Sequence, residues 1–156
     1  MAGLVYELNS RLDMKEDIRV VQGVTSSISA AASLGAPLMH DFCQISLSDL
    51  MTDWSLIEKR IELASMADFV ICIYNPKSKG RPNHLRRAFE IMQAHKPATT
   101  PVGIVKNAGR INEEKYIRTL ETMDFEVCDM STMIIVGNKE TYIDGDKIIT
   151  PRGYGI

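Results

Sequence analysis

Asp68-Phe69-Val70-Ile71-Cys72-Ile73-Tyr74, closed off by Asn75-Pro76, is apolar at nearly every position. A strand with water on one face alternates; an unbroken apolar run needs cover on both faces, as in a sheet sandwiched by helices. The sequence on either side agrees. Upstream, Trp54, Ile57, Ile61 and Ala64 recur on one helical face, with Asp53 and Ser55 as capping candidates and Ser55-x-x-Glu58 at capping-box spacing. Downstream, a loop to Arg81 leads into Pro82, suited to a helix start, and then Leu85, Ala88, Phe89 and Met92 line one face.

The alternation continues in both directions. Phe42–Leu47, Val102–Val105 and Ser131–Val136 read as strands, whereas Ile117–Leu120 fits strand or helix. Tyr142-Ile143 and Ile148-Ile149 flank Asp144-Gly145-Asp146-Lys147, a hairpin signal at a sheet edge. Met1–Leu12 carries Leu4, Val5, Leu8 and Leu12 at helical spacing, and Ile18–Val21 reads as a short strand. Thr25-Ser26-Ser27 opens an Ala/Ser-rich helix ending near Leu34, with Gly35 as its stop and Pro37 just beyond. The prediction is an α/β protein: residues 42–156 as a domain with a mixed five-stranded sheet, and residues 1–41 as the end of an N-terminal α/β domain. The irregular stretch from Pro37 to Asp41 is the expected boundary.

Length and composition bound the function classes. The chain has 156 residues, 45% hydrophobic and 24% charged, enough for a real core. A net charge of −2 argues against a general nucleic-acid coat. Cys43, Cys72 and Cys128 are scattered, which suits a reducing cytosol better than a disulfide framework. Cys72, inside the apolar run, reads as a small buried hydrophobe. No apolar stretch reaches the ~20 residues of a membrane span, and no signal peptide is visible, so a cytoplasmic protein without membrane partners is expected.

Open α/β sheets bind ligands beyond the carboxyl ends of their strands. Those ends are Gly23-Val24-Thr25-Ser26, Tyr74-Asn75-Pro76, Lys106-Asn107-Ala108-Gly109 and Gly137-Asn138, all small or polar. There is no dinucleotide fingerprint, no phosphate-binding P-loop and no nucleophile elbow. His40, His84 and His95 share no metal-ligand spacing, so no metal is expected. His40-Asp41 is a candidate acid/base pair. Lys77, Lys79, Arg81, Arg86 and Arg87 cluster after the apolar strand and suggest an anionic substrate.

Several strings together resemble the tetrapyrrole methylases. Val21-Gln22-Gly23-Val24-Thr25-Ser26 is similar to a segment found across that family. Gly35-Ala36-Pro37-Leu38 with His40-Asp41-Phe42, Ile45–Leu50, Ile73–Pro76, Val102–Arg110, Ile134–Asn138 and Thr150–Tyr154 resemble its precorrin-3 carbon-17 branch. The resemblance implies two α/β domains clasping S-adenosylmethionine, with Thr25 and Ser26 touching the cofactor from the first and Asn75, Ala108, Thr132 and Met133 from the second. It further implies methyl transfer to carbon 17 of a precorrin-3 or cobalt-precorrin-3 macrocycle with ring contraction, S-adenosylhomocysteine as by-product, and a homodimer. Lys77, Lys79, Arg81 and Arg86 would then meet the carboxylate arms of the tetrapyrrole. Gln22 stands where the family favours proline, and Lys106 where arginine is common. Family members also carry an upstream segment with a glycine-rich loop, so the chain resembles their C-terminal two-thirds. Two other readings remain open: a methylase for another tetrapyrrole carbon, protein or RNA, and a non-catalytic domain that binds cofactor or dimerises.

Overall fold

The computed structural model describes residues 2–78 and 80–154. Its elements in order are α1 (Ala2–Arg11), α2 (Ser26–Leu34), β1 (Gly35–Ala36), β2 (Phe42–Ser46), α3 (Trp54–Met66), β3 (Val70–Tyr74), α4 (His84–Gln93), β4 (Pro101–Lys106), β5 (Glu114–Thr119), β6 (Thr132–Val136), β7 (Tyr142–Asp144) and β8 (Lys147–Ile149). A five-stranded sheet runs in the order β2-β3-β6-β4-β5. β2 and β3 are parallel, while β6 is antiparallel to both β3 and β4, and β5 to β4. The sheet is therefore mixed, with the ambiguous segment before Leu120 resolved as its edge strand.

The apolar run does what its pattern requires. Ile71 and Ile73 face one way and pack with Ile57 and Ile61 of α3 and Phe89 and Met92 of α4. Val70 and Cys72 face the other way, with Ala30, Ala31 and Leu34 of α2 and Ile148 of β8. The result is three layers, with α3 and α4 on one face and α2 with the terminal hairpin on the other. Burial pushes the Cys72 thiol up to about 12, so it remains an inert, protonated filler.

α2 ends as expected at Gly35: its N–H makes the last helical bond, to the Ala31 carbonyl, and its φ of 119° then turns the chain out of the helix. The hairpin forms too, but β7-β8 joins β1 in a separate three-stranded sheet rather than extending the main one. β1 pairs with β8 through Gly35–Ile148 and Ala36–Ile149, so the segment before residue 41 is hydrogen-bonded to the end of the chain.

Three local expectations are corrected. Ile18–Val21 is not a strand: among the described residues no strand pairs with it, the Ile18 carbonyl accepting instead from Tyr6 Oη at 3.0 Å, and Val20 and Val21 are 58% and 88% exposed. A strand exists only through its ladder, so β-propensity alone does not make one. α4 begins at His84, two residues after Pro82. The capping box at Ser55 does not form, because the N-cap is Asp53 and the Glu58 carboxylate instead accepts from Arg87 Nε at 2.8 Å.

Candidate functional site

β2, β3 and β4 end along one edge of the sheet, and β6 starts there. Register fixes this: Ser46 lies beside Tyr74, and Lys106 beside Thr132. At this edge a cleft of about 200 Å³ is lined by Ser26, Tyr74, Asn75, Asn107, Ala108, Arg110 and the run from Met130 to Met133. Of the residues expected to touch a cofactor, Ser26, Asn75, Ala108, Thr132 and Met133 all line this one cleft. Thr25 stands next to it as the N-cap of α2, its carbonyl accepting from the N–H groups of Ile28 and Ser29.

The two asparagines at the edge hold unusual backbone. Asn75 and Asn107 have φ of 53° and 51°, a left-handed conformation that asparagine tolerates better than most residues. It turns the chain sharply at the ends of β3 and β4. Asn75 is then fixed by its Nδ2, which donates to Ser46 Oγ at 3.1 Å.

Two groups brace the rim. Arg81 is only 8% exposed and donates from Nη1 to the Leu47 carbonyl at 2.6 Å and the Asn75 carbonyl at 3.3 Å. Asp129 accepts from Ser131 N at 2.8 Å, Ser131 Oγ at 2.6 Å and Thr132 Oγ1 at 3.0 Å, and pairs with Lys106 Nζ at 3.3 Å. Burial pushes the Asp129 carboxyl up, but hydrogen bonds from Ser131, Thr132 and Lys106 outweigh it and hold its pKa down at about 2. Sequence reading passed over Asp129, although an aspartate two residues before a serine at a strand start is a turn-capping signal.

The other expected site residues among those described do not line this cleft. Lys77 donates to the Phe125 carbonyl and pairs with Glu126 at 3.1 Å, beside a second, mostly apolar cleft that it lines with Pro82, Cys128 and Met130. Arg86 stacks over the Phe125 ring at 4.6 Å, and Arg87 is paired with Glu58 and Glu90 on the far side of α4. Lys79 lies outside the described residues. Lys77 and Arg86 thus share a cleft that they line with Asn83, Phe125 and Glu126, whereas Arg81 points inward and Arg87 turns to Glu58.

His40 and Asp41 precede β2, at the edge of the sheet opposite the cleft. Both are exposed, and the Asp41 backbone N–H donates to His40 Nδ1 at 2.8 Å. Gly137-Asn138, expected at the ligand edge, also lies on the opposite side, because β6 runs antiparallel to β3 and β4. There Lys96, its side chain 1% exposed, donates to the Phe69 and Gly137 carbonyls and to Asp68. No cluster of three or more metal-ligating side chains occurs among the described residues, and no described helix is long and apolar enough to cross a membrane.

The family model for tetrapyrrole (corrin/porphyrin) methylases matches residues 1–124. The chain belongs to this family. A Salmonella typhimurium protein named "Probable cobalt-factor III C(17)-methyltransferase" is 60% identical over 154 residues, covering 99% of this chain and 64% of that protein. The "Precorrin-3B C(17)-methyltransferase" of a Sinorhizobium species is 44% identical over 143 residues, covering 88% of this chain and 56% of that protein. The chain therefore spans less than two-thirds of the length of these tetrapyrrole methylases. The crystal structure of the methyltransferase CobJ superposes with a TM-score of 0.89 at 32% identity, over 96% of this chain and 63% of that one. Cobalt precorrin-4 methyltransferase CbiF, at 23% identity and a TM-score of 0.66, shares the fold over 88% of this chain and 59% of that one.

Proposed function

We propose that this tetrapyrrole methylase chain takes part in S-adenosylmethionine-dependent methylation of carbon 17 of a cobalt-factor III or precorrin-3 type macrocycle, with ring contraction, in cobalamin biosynthesis. The observation carrying the reading is the convergence of Ser26, Asn75, Ala108, Thr132 and Met133, from four separate segments, on one cleft. The likeness in sequence to proteins named for that reaction supports it.

The cleft suits the methyl donor. Asn75 and Thr132 offer polar groups for a nucleoside, Ala108 leaves room for a flat ring, and Met130 and Met133 supply polarisable apolar walls. The donor, when bound, supplies an electrophilic methyl group on a sulfonium. What the chain contributes is position: Asn75 pinned through Ser46, and the Met130–Met133 wall pinned through Asp129. With His40 and Asp41 at the opposite edge, the cleft takes no acid or base from that pair.

A homodimer and a cytoplasmic location belong to the same reading. The dimer is supported by α1, which buries none of its residues although Leu4, Val5 and Leu8 repeat along it, each about half exposed. Light scattering would show a dimer; a monomer at high concentration would count against it.

Calorimetry with S-adenosylhomocysteine, paired with transfer of a labelled methyl group to cobalt-factor III, tests the function. Micromolar nucleoside binding together with labelling of the macrocycle is the expected result. A chain that binds no S-adenosylhomocysteine would leave the cleft without its assigned ligand and overturn the reading.

A further inference from the structure

Among the described residues, Arg110 is the one charged residue lining the cleft at the sheet edge. Around it the other cations are engaged: Lys106 with Asp129, Lys115 with Asp146, Lys77 with Glu126, and Arg81 with backbone carbonyls. Arg110 is exposed and has no carboxylate partner among the described residues. Its nearest acid in sequence, Glu113, is committed elsewhere, because its carboxylate accepts from the Gly109 backbone N–H at 2.6 Å. A hydrogen bond from Ser33, then the one from Gly109, holds the Glu113 carboxyl below its usual range.

The loop presenting Arg110 is built rather than slack. Asn107 and Gly109 both adopt positive φ, and the Arg110 N–H donates back to the Asn107 carbonyl at 2.9 Å. Asn107 Nδ2 donates to the Asn112 carbonyl at 3.2 Å, and the Glu113 N–H to the Arg110 carbonyl at 3.2 Å. Opposite lies Ser26, in the first turn of α2, where the helix dipole is positive. A neutral polar cleft with one unpaired guanidinium on a braced turn suits an anion, and the planar fork suits a carboxylate.

We propose that Arg110 anchors a ligand carboxylate in the cleft, a role that the basic run after β3 does not fill. The assignment rests on the function proposed above and deepens it. A carboxylate could come from the amino-acid end of the methyl donor or from an acetate or propionate arm of the tetrapyrrole, and the chemistry of recognition is the same.

The test uses this chain as wild type, Arg110→Ala and Arg110→Lys, with Arg87→Ala as a control that removes a cation paired away from the cleft. Three probes are titrated: S-adenosylhomocysteine, 5′-methylthioadenosine, which lacks the amino-acid carboxylate, and uroporphyrin, an octacarboxylic tetrapyrrole. Arg110→Ala is expected to weaken a carboxylate-bearing probe about tenfold, with Arg110→Lys in between and Arg87→Ala unchanged. Loss confined to S-adenosylhomocysteine, with methylthioadenosine unaffected, assigns the donor carboxylate. Loss confined to uroporphyrin, with a flatter salt dependence, assigns a substrate arm. Unchanged affinities for all three, or equal loss for both nucleosides, would overturn the role of Arg110 while leaving the cleft intact. Wild-type protein that binds none of the probes would instead overturn the functional reading, and the anchor with it.

Discussion

Leu34 of α2 lies directly on Gly103 of β4: a Cβ built on Gly103 would collide with both Leu34 methyl groups and come within 3.1 Å of Ile148 Cδ1. The helix reaches the sheet only because that strand position has no side chain. Leu34 is fully buried in the same cluster as Val70, Cys72 and Ile135, so the contact seats α2, and with it Ser26, at the cleft.

Gly103→Ala should therefore destabilise the fold by about 1–3 kcal/mol through overpacking. Thermal unfolding should show a fall in Tm of several degrees. Combining it with Leu34→Ala should cost less than the sum of the two single changes, because each relieves the other's misfit. Strict additivity in urea denaturation would refute the contact.

The Asp129 carboxyl, held at about 2 against an ordinary value of 3.8, makes an acid-side prediction. A carboxyl depressed on folding adds stability that is fully present above the unfolded value and is lost as pH falls through the folded one. That loss should run from roughly pH 4 down to 2. Its side chain is 50% exposed, so the contribution is modest. Asp129→Asn should flatten this part of the Tm–pH profile relative to wild type and leave the profile above pH 5 parallel. An unchanged slope below pH 4 would sink the idea.

Lys96 crosses from the end of α4 to tie together Asp68, Phe69 and Gly137. Lys96→Met keeps the apolar stem but removes the ammonium from the Phe69 and Gly137 carbonyls and from Asp68, whose carboxylate keeps only its bond from the Lys139 N–H. A loss of about 3 kcal/mol is expected in denaturant titration, with little change in ligand affinity, since this site is at the edge away from the cleft. Burial lowers the lysine pKa against the pull of Asp68, so the ion pair is not free stabilisation.

Arg81 and Arg86 should separate cleanly. Arg81→Ala removes the bridge between the Leu47 and Asn75 carbonyls and should lower stability by about 2–3 kcal/mol, with weaker S-adenosylhomocysteine binding as Asn75 loosens. Arg81→Lys should recover only part, because one ammonium cannot make the Nη1 bonds to both carbonyls and also the Nε bond to Ser78 Oγ at 3.2 Å. Arg86→Ala, which loses a cation–π contact with Phe125, should change stability by no more than about 1 kcal/mol and leave that binding alone. Calorimetry on the variants decides; equal effects would show that Arg81 does not brace the rim.

Much of this architecture was legible along the chain. Local periodicity reports which faces must be covered, so the doubly buried β3, the faces of α3 and α4, and the Gly35 stop could be read directly. The strings of the family likewise marked Ser26, Asn75, Ala108, Thr132 and Met133 before their shared cleft was seen. Strand direction was not legible, because an apolar run has the same pattern read either way. Only pairing against β3 and β4 put Thr132 rather than Gly137 at the edge that carries the cleft. Nor could composition tell where a long side chain ends. Arg81, Arg86 and Arg87 sit close in sequence, yet one bonds inward, one stacks on Phe125 and one pairs across α3. Arg110, by contrast, has no carboxylate partner among the described residues, its neighbour Glu113 being taken up by Gly109. Which cation is left for a ligand depends on which acids the fold has already spent, and that is settled only when segments distant in sequence meet.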